Sequence, residues 1–75
     1  MNLKPEISSS LESSLIKEAI YDPFMSTLTI RFKNGGTYEY IEVPEELYKE
    51  LVKAPSSGVF FHTKIKNKFQ FLRLK

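Results

Sequence analysis

The chain has 75 residues, 41% of them hydrophobic, with six Phe, four Tyr and no Cys; this admits one small domain around a single core and excludes a second independent core, a disulfide framework and a thiolate metal site. The formal net charge of +2 conceals a segregation, because residues 1–50 hold five Lys/Arg against nine Asp/Glu while residues 51–75 hold six Lys/Arg and no acid. No run approaches the roughly 20 apolar residues of a membrane span and the N-terminus lacks the basic and apolar stretches of a secretory signal, so a soluble, cytoplasmic protein is expected.

Residues 1–12, rich in Ser and without apolar periodicity, read as a flexible N-terminal segment ahead of one domain over residues 13–75. Leu15 to Tyr21 predicts a first strand, ended by the turn signal Asp22-Pro23, with Phe24 and Met25 placed over the edge of the core. In the next segment Leu28, Ile30 and Phe32 alternate with Thr27, Thr29, Arg31 and Lys33, the period-two pattern of a strand with one buried and one wet face. Asn34-Gly35-Gly36 suits the positive φ angles of a tight hairpin. A third strand then returns over Thr37 to Ile41, with Tyr38 and Tyr40 on one face; the alternation alone leaves open which face is buried.

Val43-Pro44-Glu45-Glu46 marks a helix start, since Pro fits the first turn and acids complement the N-terminal dipole. Leu47, Tyr48, Leu51 and Val52 repeat at helical spacing to about Ala54, where Pro55 ends the helix. Ser56 or Ser57 can cap a second helix to about Lys66, with Phe61 and Ile65 on one face and Lys64 and Lys68 on a neighbouring stripe. The tail from Phe69 to Leu74 alternates again and suits either a short C-terminal strand or an extended segment along the sheet. The predicted architecture is α+β: a three-stranded antiparallel β-meander followed by two short helices packed on one face.

The acid-free segment carries the chemistry. Lys64, Lys66, Lys68, Arg73 and Lys75 suit a phosphate-tracking surface, with aromatics on which bases could stack; the competing reading is a solvated helix face beside a core of Phe61, Ile65 and Leu72. Tyr38 and Tyr40 could present a stacking platform on the sheet, although packing under the helices is favoured, because a three-stranded sheet must bury one face. Ser56, Ser57 and Gly58, at a helix start and followed by His62, form the best anion-binding candidate beside ordinary capping. His62 is the only histidine, and no acid follows Glu50 to complete a nucleophile, base and acid set. No catalytic residue, metal site or cofactor is predicted.

Taken together, Ser13-Ser14, Tyr21-Asp22-Pro23, Phe32 with Gly35-Gly36, Tyr38-Glu39-Tyr40, Val43-Pro44 and Ala54-Pro55-Ser56-Ser57-Gly58 resemble the KTSC domain over roughly residues 13–74. That family is a short module found alone in bacterial and phage proteins and appended to the C-terminus of some lysyl-tRNA synthetases. Its central tyrosine pair resembles Tyr38 and Tyr40, and its closing segment resembles Gly58-Val59-Phe60-Phe61 and Ile65-Lys66. This chain departs from the pattern at His62, Lys66 and Asn67, where the family more often has Asn, Arg and Gly; Lys keeps the charge of Arg but loses its bidentate fork. The resemblance implies the α+β architecture and a role in RNA binding, and implies no reaction.

The expectation is therefore a small non-enzymatic module whose basic C-terminal face contacts RNA, single-stranded or tRNA-like. The alternatives are a protein-interaction or self-assembly module, using a sheet edge and the aromatic tail, and a protein binding a small anionic nucleotide between Ser56-Ser57-Gly58 and the basic helix.

Overall fold

The computed structural model describes residues 7–10 and 15–75. Five strands, β1 (Ile7–Ser10), β2 (Ile16–Asp22), β3 (Thr27–Phe32), β4 (Thr37–Tyr40) and β5 (Phe71–Arg73), form one antiparallel sheet in the order β1-β2-β3-β4-β5. Two helices, α1 (Glu45–Lys53) and α2 (Ser57–Lys64), lie in the connection between β4 and β5. The predicted meander and helices are thus present, and the alternating tail is a strand paired with β4. The N-terminal segment expected to be a flexible lead-in supplies β1, whose backbone pairs with β2 from Ile7 opposite Tyr21 to Ser10 opposite Glu18. The remainder of residues 1–12 lies outside the described residues.

Alternation and register explain the core. Tyr21, Leu28, Tyr40 and Phe71 form one cross-strand row, and Ala19, Ile30, Tyr38 and Arg73 form the next on the same face. A register shift between Ile16 and Glu18 adds a residue to β2, so Ile16 joins Ala19 in the core despite their odd spacing. Tyr48 and Leu51 from α1 and Phe61 from α2, with Ile65 at its C-cap, close over this face. The Tyr21 and Tyr48 rings stack at 5.3 Å. Phe61 meets Phe32 and Tyr40 edge-on, at 5.3 and 5.6 Å.

Two local expectations are corrected. Phe24 and Met25 do not lie over the core edge but stand 66% and 62% exposed, because Asp22 Oδ1 accepts both of their backbone N–H groups and ties the turn outward. Val52, placed on the apolar stripe of the first helix, is exposed as well.

Candidate nucleic-acid interface

Among the described residues, the sheet face turned away from the helices carries charges of both signs. Arg31, which the strand alternation places there, pairs with Glu18 at 3.1 Å, and Glu39 lies in the adjacent row between Thr29 and Leu72. Acids and bases are interspersed across that face.

The helix side differs. Ser56 adopts an extended φ of −132° and its hydroxyl accepts from the Val59 N–H, which starts α2. α2 is capped at Ile65, and the Lys66 N–H bonds to the Phe61 carbonyl. Asn67 then takes a φ of 65°, the left-handed conformation that turns the chain back toward the sheet. That conformation is open to Gly and tolerated by Asn, which accounts for the Gly expected at this position from the family resemblance. Lys64, Lys66, Lys68, Arg73 and Lys75 are all exposed. Among the described residues the ion pairs are Arg31 with Glu18 and Lys49 with Glu45, and none engages these five side chains.

Beyond the cover of the helices, the core-facing rows continue onto β5 and leave a cleft of about 620 Å³. Its floor is aromatic: Phe32, Tyr38, Tyr40, Phe61 and Phe71. One wall is the β3–β4 hairpin, where Asn34 Oδ1 accepts from the Gly36 N–H at 3.0 Å and Gly35 takes a φ of 104°. A Cβ at Gly36 would stand 3.2 Å from Tyr38 Cε1, so the absence of a side chain lets this wall sit against the tyrosine. The opposite wall is the end of α2, with His62, Lys66 and Asn67. Arg73 closes the rim; its guanidinium carbon is 5.6 Å from the Tyr38 ring centre and its Nε donates to the Lys75 carbonyl at 2.9 Å.

The structure thus brings Lys66, Arg73, His62 and Tyr38 to one cleft, while Lys64 and Lys68 stand outside its lining. Tyr40 is corrected as a stacking platform: it is 5% exposed, packed by Phe61 and Phe71, and shows the cleft too little surface for a base to stack on. Burial raises its phenol pKa above the ordinary value of 10.0, and the neighbouring Tyr38 phenol adds to the shift. Tyr38 is half-buried, and Phe71, 49% exposed, is the most open ring of the floor. Phe60 and Phe69 pack against the core margin.

The anion-binding candidate is divided. Ser56 caps its own helix, and Ser57 is buried with its Oγ lacking a hydrogen-bond partner among the described residues. Neither they nor Gly58 line the cleft, whereas His62, in the last turn of α2, does. Sequence reasoning missed Asn34, Asn67 and Phe71 as members of a common site. The signal was the Asn-Gly-Gly turn, which was read only as a hairpin.

The family model described as the KTSC domain matches residues 12–69. A lysine–tRNA ligase of Trichormus variabilis is 46% identical over 63 residues, and one of Nostoc punctiforme is 44% identical over 63. Each match covers 84% of this chain but 11% of the ligase, so the chain spans about a ninth of the length of these relatives. A protein of Tsukamurella paurometabola is 42% identical over 64 residues, covering 85% of this chain and 96% of that protein. The crystal structure of a KTSC domain protein from Yersinia pestis superposes with a TM-score of 0.89 at 35% identity, covering 95% of this chain and 100% of that one.

Proposed function

This chain belongs to the KTSC domain family, and from that premise we propose that it is a small non-enzymatic cytoplasmic module that contacts RNA, single-stranded or tRNA-like, through its C-terminal basic face. The observation that carries this reading is that Lys64, Lys66 and Lys68 are exposed and engage no acid among the described residues. Exposed cations that engage no acid are available to displace counterions from a phosphate backbone, the source of most non-specific affinity for nucleic acid. The relatives named lysine–tRNA ligase support it further, since a basic module within such a protein would lie beside an RNA.

A second reading, self-assembly, draws on β5, a sheet edge that exposes Leu72 and is followed by the exposed Leu74. Fluorescence anisotropy with labelled single-stranded RNA and tRNA at about 50 and about 200 mM salt separates the two, because phosphate contact weakens steeply with salt and apolar association barely changes. Saturable binding that falls with salt is expected. No binding at the lower salt overturns the RNA reading.

A further inference from the structure

We propose that the cleft between the Asn34-Gly35-Gly36 hairpin and the end of α2 is a subsite for one unpaired nucleotide, with the base against Phe71 and the phosphate directed to Lys66 and Arg73. The inference deepens the RNA reading and rests on it, adding a ligand class and a position that the basic face alone does not supply.

Three observations converge on an aromatic anion. The cleft, at about 620 Å³, falls within the range of roughly 300–1,000 Å³ typical of small-molecule sites. Its floor is aromatic, and Phe71 keeps about half of its surface open even though its ring contacts Tyr38 at 5.4 Å and Tyr40 at 5.5 Å. These contacts hold the ring in place, and the surface it keeps open is available to a base. The rim carries Lys66, Arg73 and His62, and among the described residues no Asp or Glu lines the cleft.

The polar groups are placed to discriminate as well as attract. Arg73 is fixed by its contact with Tyr38 and by the bond from Nε to the Lys75 carbonyl, and its terminal nitrogens have no protein partner among the described residues. A guanidinium held in this way loses little freedom when it meets phosphate. Asn34 uses Oδ1 within its own turn, so its amide N–H groups remain for the edge of a base. A base inside a duplex has both faces stacked, whereas an unpaired base can enter such a cleft. Binding here therefore selects single-stranded or looped RNA over duplex.

The test is a titration of the 75-residue chain with AMP and with adenosine, followed by the backbone amide signals in NMR, and a parallel titration with single-stranded RNA. Expected are saturable one-to-one shifts centred on the amides of Gly35, Gly36, Asn67 and Phe71, with adenosine weaker than AMP. Phe71→Ala and Lys66→Glu should each weaken AMP binding by about ten-fold or more, while Lys53→Glu, an equal charge change on an exposed α1 side chain, should alter it by less than about two-fold. Lys66→Glu alters an exposed side chain and tests the site even if Phe71→Ala loosens the fold. Absence of AMP shifts up to ~10 mM, or shifts centred away from the cleft, overturns the subsite even if RNA binds. AMP binding at the cleft with no RNA binding supports the subsite and refutes the wider RNA reading.

Discussion

The Tyr21 hydroxyl donates a 2.6 Å hydrogen bond to the Val43 carbonyl, fastening β2 to the segment that leads into α1. Both residues are buried, and the Val43 N–H is separately bonded to the Ser26 carbonyl, so a single residue ties two loops to the sheet. Tyr21→Phe preserves the ring stacked on Tyr48 and removes only the donor. The buried carbonyl then loses a partner, which costs about 1–3 kcal/mol. Urea unfolding should show a lower midpoint at unchanged m; an unmoved midpoint would mean that the carbonyl finds water or another donor.

The elements that alternation or capping dictates were legible in the sequence. Leu28 and Ile30 face the core as their spacing requires, and Ser56 caps α2. β1 was not legible, because a Ser-rich run has no apolar pattern and its pairing is set by the backbone edge of β2. Nor was the cleft. Phe71 follows Phe32 by 39 positions and Asn34 precedes Asn67 by 33, and only the return of the chain to the outer edge of β4 brings them together. Charge was legible as composition, but the pairing of Arg31 with Glu18 depends on a cross-strand register that composition does not encode.

Asn67, with its φ of 65°, offers a test of backbone conformation separate from packing. An L-residue with a Cβ is disfavoured there by roughly 1–2 kcal/mol, a cost that Gly avoids and Asn partly offsets through local hydrogen bonding. Asn67→Ala should lower the melting temperature, whereas Asn67→Gly should hold or raise it. Equal losses in both variants would point to a role for the Asn side chain in stability.

The raised pKa of Tyr40 predicts a stability change at high pH. Burial, aided by Tyr38, keeps the folded phenol protonated above the ordinary value of 10.0, at which the unfolded phenol ionises. Its contribution is fully present below that value and is lost as pH rises toward the folded pKa, because the unfolded state releases its proton first. The melting temperature should therefore fall above about pH 10, and Tyr40→Phe should flatten that part of the profile. An identical alkaline fall in the variant would assign the effect to other groups.

Lys64, Lys66 and Lys68 give the quantitative test of the basic face. Each is exposed with no acid engaged among the described residues, so reversing all three should leave the melting temperature nearly unchanged. RNA affinity should respond strongly. On a single strand the salt slope is about 0.7 per neutralised phosphate, so four contacts, including Arg73, amount to a loss of about fifty-fold between roughly 50 and 200 mM salt. The triple Lys→Glu variant should lose nearly all binding, and each single replacement should lower the slope by about 0.7. A slope unchanged by the single replacements would mean that the phosphates are met elsewhere, and the basic face would then serve only to keep the domain soluble.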